Sequence, residues 1–187
     1  MSIFKFLVDH NKKGSFVNQF RQKRFDILKN RIEKLIQKDY FKILDIGGDI
    51  QYWKNIGWQH PSCQIHLLNL YTSEIPQSDT SQFTSSIGDG LALAYQKGDV
   101  DLIFSNSVIE HVGSYENQQI FANEVMRVSD KYIIQTPSLW FPLEPHSLLP
   151  LFQFLPHPIR ALLIMTFNIN YFPKAKTYKE AIIVSHS

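Results

Sequence analysis

Phe41-Lys42-Ile43-Leu44-Asp45-Ile46-Gly47-Gly48 is the stretch whose reading decides the fold. A short apolar run closed by two glycines reads as a buried strand that ends in a tight turn. Runs of the same kind follow it. Gln64-Ile65-His66-Leu67-Leu68-Asn69-Leu70 predicts a second strand. Phe83 to Ile87 predicts a short third, stopped by Gly88-Asp89-Gly90. Asp101-Leu102-Ile103-Phe104-Ser105 is a fourth, and Lys131-Tyr132-Ile133-Ile134-Gln135-Thr136 a fifth, ended by Pro137. Between the fourth and fifth, Ile120, Phe121, Glu124, Val125 and Val128 recur at helical spacing and predict a helix over Ser114 to Arg127. Strands separated by helical stretches imply a parallel sheet with right-handed crossovers. In such a sheet ligands bind beyond the carboxyl ends of the strands.

Upstream, residues 12–39 predict an amphipathic helix. Phe16, Phe20, Ile27, Leu28, Ile32, Leu35 and Ile36 fall at steps of three and four, among Lys12, Lys13, Arg21, Lys23, Arg24, Lys29, Arg31, Lys34 and Lys38, with only Asp26 and Glu33 opposing. This reads as a solvated basic face on a packed helix, or as a face for an anionic partner. Downstream, residues 137–173 hold seven of the nine prolines, mixed with Phe, Leu and Trp. Prolines at that density break helices, so the segment reads as an apolar, loop-rich cap over the sheet end. The expected organisation is a single domain, 1–187, with the cofactor-binding core over 41–136.

The length of 187 residues suits one core, and 44% hydrophobic against 19% charged residues excludes a disordered chain. A net charge of +2 is too near neutral to imply nucleic acid. Cys63 is the only cysteine, which leaves no disulfide framework and no cysteine-based zinc site. The first residues lack the apolar stretch of a signal peptide, and the longest apolar run, Ala161 to Met165, is far too short to span a bilayer. The expectation is a soluble cytoplasmic protein with no transmembrane segment.

The chemistry-bearing residues all follow strands. Asp45, Gly47 and Gly48 end the first; glycines let the backbone turn sharply and approach a ligand. Asn69 ends the second, 22 residues after Gly47, near the spacing at which an acid usually meets ribose hydroxyls; an amide accepts one such bond without the charge. Asp89 is exposed between glycines, where its carboxylate suits an exocyclic amine. Ser105-Asn106-Ser107-Val108-Ile109-Glu110-His111-Val112 follows the fourth strand and brings Glu110 and His111, a pair suited to acid–base work. Trp140-Phe141-Pro142-Leu143-Glu144-Pro145-His146 sets an acid and His146 in an aromatic loop. No third metal ligand is placed by spacing, so no metal is expected.

Taken in order, Ile-Leu-Asp-Ile-Gly-Gly, the strand ending at Asn69, Gly-Asp-Gly, Asp-Leu-Ile-Phe-Ser-Asn-Ser-Val-Ile-Glu-His-Val, Glu124 with Arg127-Val128, and Ile-Ile-Gln-Thr-Pro resemble a class I S-adenosylmethionine-dependent methyltransferase, of a small bacterial type with unassigned substrate. The resemblance covers roughly residues 41–160. It implies a seven-stranded, doubly wound, mainly parallel Rossmann-like sheet. It implies that Asp45, Gly47 and Gly48 form the first cofactor loop, that Asn69 lies near the ribose and Asp89 near the adenine, and that Asn106, Ser107 and Val108 line the methionine side. The chain departs from the family's Asp-x-Gly-x-Gly-x-Gly loop, with Asp49 and Gln51 at the second and third glycine positions. Beyond Phe167 it is short: one strand-like piece, Ala181-Ile182-Ile183-Val184, stands where the family has a helix and two more strands, so the sheet is expected to lack its last strands.

Two functions follow. The first is methyl transfer from S-adenosyl-L-methionine to a small or amphipathic acceptor, with Glu110, His111 or His146 as the base where the nucleophile carries a proton. The second is a catalytically degenerate relative that acts as a binding or scaffold module; it expects Asp49→Gly with Asn69→Asp to create affinity where there was none. A nicotinamide-dependent oxidoreductase is disfavoured, because Gly-x-Gly-x-x-Gly is absent.

Overall fold

The computed structural model describes residues 16–138, 151–167 and 175–181. The chain divides into two compact units, Met1–Gln135 and Thr136–Ser187.

The first unit opens with α1 (Phe16–Leu35), followed by β1 (Phe41–Ile46), α2 (Ile50–Asn55), β2 (Cys63–Asn69), β3 (Phe83–Ile87), β4 (Leu102–Asn106), α3 (Tyr115–Val128) and β5 (Tyr132–Gln135). The five strands form one sheet in the order β3-β2-β1-β4-β5. Every neighbouring pair is parallel. This is the doubly wound α/β architecture the strand pattern predicts, and the strand ends lie within a residue or so of their expected places.

Helices cover both faces, as a parallel sheet requires, because its strands are apolar on both sides. On one face Ile43, Ile65 and Phe104 pack with Phe25, Leu28 and Ile32 of α1 and Trp53 of α2. On the other, Leu44, Ile46 and Ile103 pack with Phe121, Val125 and Val128 of α3. Successive strand residues point to opposite faces, so Ile43 and Leu44, adjacent in sequence, seed different cores. On the second face His66 departs from the apolar rule. Its ring nitrogens lie 2.8 Å from Thr84 Oγ1 and 2.7 Å from Ser86 Oγ, which ties β2 to β3 and satisfies a half-buried polar ring. Burial holds its pKa below the ordinary histidine value.

The strand order reverses between β1 and β4: β2 and β3 build outward on one side of β1, β4 and β5 on the other. Their carboxyl ends frame the crevice in which ligands of such sheets sit.

In the second unit, a 3-10 turn (Phe152–Phe154) precedes α4 (His157–Thr166). Pro158 falls in the first turn of α4, where its missing N–H needs no partner, so a proline-dense segment still holds a ten-residue helix. Phe152, Ala161, Ile164, Ala175 and Ala181 form a small core of their own. Residues 178–181 are helical, so Ala181 does not begin the strand its sequence suggests. Thr177 explains this: its Oγ1 accepts from Glu180 N and its carbonyl from Ala181 N, which nucleates a helical turn. Residues 182–187 lie outside the described residues.

Among the described residues, no helix is long and apolar enough to cross a membrane.

Candidate functional site

The turn after β1 is shaped by two close approaches. Gly47 has φ +73°, and a Cβ there would lie 2.3 Å from Val108 Cγ2. Only glycine combines that left-handed backbone with that contact. Gly48 faces inward, and a Cβ there would lie 2.0 Å from Asp45 Oδ2. The second glycine therefore makes room for a carboxyl group of this same chain.

That carboxyl belongs to the core. Asp45 is 1% exposed, with Oδ2 accepting a 2.6 Å hydrogen bond from Trp53 Nε1. Oδ1 is buried with no hydrogen-bond partner. Burial pushes the pKa of Asp45 up to about 8; the Trp53 bond opposes the rise and the neighbouring Asp49 adds to it. The Asp45 side chain is therefore turned into the core, beneath the loop that the resemblance assigns to the cofactor. The side chain supports the turn from below, because strand residues alternate and residue 45, like Ile43, points to the α1–α2 face. Asp49, at the second glycine position of the family loop, is the N-cap of α2 and accepts from Gln51 N at 3.1 Å.

Asn69 joins the turn to the next strand end. Its Nδ2 donates to Gly48 O and to Ser73 Oγ, both at 2.9 Å. The amide is thus spent on the protein, and Oδ1 is left as an acceptor. The backbone carbonyl of Asn69 accepts from Gly88 N at 2.9 Å, which brings the Gly-Asp-Gly loop alongside. Asp89 is exposed; its Oδ1 accepts from Leu91 N and forms the local turn. Gly90 packs so that a Cβ would lie 2.8 Å from Phe121 and 3.0 Å from Ile46, which seats the loop over the end of β1. The carboxyl ends of β1, β2 and β3 are therefore linked in one rim: Gly48 to Asn69 to Gly88 and Asp89.

At the other side of the crevice, Ser105 is fully buried and donates to Ile46 O at 3.0 Å, closing β4 onto β1. Ser107 follows with φ +59°, a left-handed conformation unusual for a residue with a side chain. Its N–H donates to Gln135 O. This kink turns the chain so that Val108 reaches Gly47. Asn106 is half-buried at the strand end. Glu110 and His111 lie in a 3-10 turn, Ile109–His111. Val108, Ile109 and Val112 pack into the α3-side core, which leaves Glu110 partly buried and His111 exposed. His146 lies outside the described residues.

Sequence reasoning missed three contributors. Trp53 is wholly buried and holds Asp45; nothing in the sequence marks an indole eight residues on as its partner. Exposed apolar side chains flank the acceptors: Leu70 and Tyr71 after β2, and Ile87, which pairs in register with Asn69 and is 65% exposed. A clamp on α3 then steadies the loop after Asp89. Glu124 accepts from Leu93 N at 2.7 Å and from Arg127, whose guanidinium donates to the carbonyls of Leu93 and Tyr95. The Arg127 bond holds the Glu124 carboxyl below its ordinary pKa. Cys63 is buried, and burial pushes its thiol up to about 12, so it is no nucleophile. No group of three or more metal-ligating side chains occurs among the described residues.

No protein-family model matches the chain, and no curated protein matches it. Among solved structures, one named for a methyltransferase from an antibiotic biosynthesis pathway of Anabaena variabilis matches at 17% identity and a TM-score of 0.48, covering 77% of this chain and 62% of that one. One named for a sarcosine dimethylglycine methyltransferase from Galdieria sulphuraria matches at 16% identity and a TM-score of 0.43, covering 62% of this chain and 45% of that one. A SAM-dependent methyltransferase from Aquifex aeolicus matches at 11% identity and a TM-score of 0.43, covering 76% and 85%. The chain thus spans less than two thirds of the first two. The fold assignment rests on the strand order and not on these likenesses.

Proposed function

We propose that the unit Met1–Gln135 binds S-adenosyl-L-methionine at the carboxyl ends of its strands and transfers the methyl group to a small or amphipathic acceptor. The observation that carries this reading is the continuous rim from Gly48 through Asn69 to Gly88 and Asp89. It sets two side-chain acceptors, Asn69 Oδ1 and the Asp89 carboxylate, at one strand-end rim. Asn69 Oδ1 suits a ribose hydroxyl, the second Asp89 oxygen suits an exocyclic amine, and Leu70, Tyr71 and Ile87 offer apolar flanks for a purine. The residues present fit the nucleoside half of the cofactor.

The chemistry that the cofactor supplies when bound is a sulfonium methyl that is already electrophilic. The chain's part is therefore to hold, orient and dry the site, and positioning of that kind contributes on the order of 7–11 kcal/mol. Asn106, Ser107 and Val108, at the end of β4 beside the glycine turn, line the methionine side in this reading. Glu110 or His111 takes the proton where the acceptor is a hydroxyl or a charged amine.

One observation favours the degenerate reading. Val108 Cγ2 covers Gly47 closely, so this side of the turn is occupied by the protein. Isothermal titration with S-adenosylhomocysteine separates the two. Saturable binding supports the enzyme; no heat at millimolar ligand overturns it and leaves the scaffold.

A further inference from the structure

The cations of α1 are segregated. An α-helix turns by about 100° per residue, which sets Lys23, Ile27, Lys34, Arg31, Arg24 and Leu35 along one outward arc of roughly 120°. Leu28, Ile32 and Phe25 follow directly beyond Leu35 on the helix surface, buried on the sheet. The two acids of this stretch, Asp26 and Glu33, fall on the other flank. Lys23, Arg24, Arg31 and Lys34 are exposed. None of them enters an ion pair among the described residues, whereas Lys29 lies near Asp26 and Lys38 pairs with Asp101. Ile27 stands among the cations at 53% exposure, with Leu35 at its edge.

We propose that this face of α1 seats the protein on an anionic lipid surface. Four unopposed cations spread over about 16 Å of helix, at 1.5 Å per residue, match a layer of negative headgroups. Ile27 and Leu35 are side chains that the boundary between headgroups and acyl chains accepts. Nucleic acid fits less well. A face for single-stranded nucleic acid interleaves aromatic rings with its cations to stack on bases; here the cations from Lys23 to Lys34 surround Ile27, and the aromatic positions of the same arc, Phe16 and Phe20, precede them all. The inference stands on α1 alone and does not depend on the cofactor site.

The test is vesicle co-sedimentation of the full chain, with phosphatidylcholine alone against phosphatidylcholine containing phosphatidylserine. Binding to the anionic vesicles only, weakening as salt rises, is expected. Arg31→Glu with Lys34→Glu should lower the partition coefficient about 25-fold or more, at roughly fivefold per cation. Lys131→Glu with Lys179→Glu carries the same change in net charge off the arc and should leave binding within about twofold of the parent protein. Far-UV circular dichroism checks that the exposed substitutions leave the fold intact. Equal binding to neutral vesicles overturns the proposal, as does equal loss in both double variants. So does binding to a single-stranded RNA that the Arg31/Lys34 variant alone abolishes while vesicle binding is absent.

Discussion

The indole N–H of Trp53 donates to the buried carboxyl of Asp45, directly beneath Gly48. The turn after β1 thus rests on a polar contact inside an apolar core, and its chemistry can be read out by stability.

Asp45 makes the fold sensitive to alkali. Its pKa is raised in the folded state, from 3.8 to about 8. Between those values the unfolded chain has released a proton that the folded chain keeps. Folding stability therefore falls as pH rises through that window, by at most about 1.4 kcal/mol per unit, and levels off above the folded value. Urea denaturation at pH 5.5 and 8.5 should show the loss. Asp45→Asn keeps the acceptor for Trp53 and should flatten this dependence, so that the variant is the more stable protein at pH 8.5. An unchanged slope in the variant would refute the assignment.

Trp53 is completely buried. Trp53→Phe removes the donor and leaves a polar oxygen unsatisfied, which costs on the order of 1–3 kcal/mol. The same change should push the Asp45 pKa higher still and shift the alkaline loss of stability toward higher pH. A chemical denaturation series across pH checks both effects.

Gly48→Ala places a methyl group 2.0 Å from Asp45 Oδ2, so the strand end or the carboxyl must move. We expect the alanine to lower stability in the parent chain, and Asp45→Ala to relieve much of that loss. A double-mutant cycle should give a coupling of about 1 kcal/mol or more. Additive effects would show that the two groups do not meet.

Asn69→Asp looks like a return to the usual ribose acid. The hydrogen bonds of the amide predict the opposite outcome. Asp has no amide to donate to Gly48 O or Ser73 Oγ, and it sets a carboxylate against a carbonyl. The variant should melt lower and bind S-adenosylhomocysteine more weakly than the parent, about fivefold or more for one lost hydrogen bond of roughly 1 kcal/mol. Tighter binding would show that the amide does not hold the turn.

Glu124→Gln loosens the loop that follows Asp89. Leu93 N then loses a charged acceptor, and Arg127 its partner. Hydrogen exchange at the Leu93 amide should quicken roughly tenfold or more, the order expected for a charge-assisted bond. Exchange within β1 should not change.

How far the sequence reaches can be seen residue by residue. Short runs rich in apolar residues determined the five strands, those of β1 and β3 closed by glycine and that of β5 by proline. The periodicity of Ile120 to Val128 determined α3. Convergence of Gly48, Asn69 and Asp89 at one rim was also legible, since parallel strands with right-handed crossovers carry every strand end to the same side. Tertiary structure alone decided which way each side chain faces and what it meets there. Asp45 turns into the core because strand residues alternate and its partner, Trp53, comes from a helix that sequence spacing does not tie to it. Asn69 spends its amide on Gly48, and Val108 covers Gly47 because Ser107 takes a left-handed kink. These are contacts between groups distant in the chain or set by one backbone angle, and local patterns of hydrophobicity do not encode them.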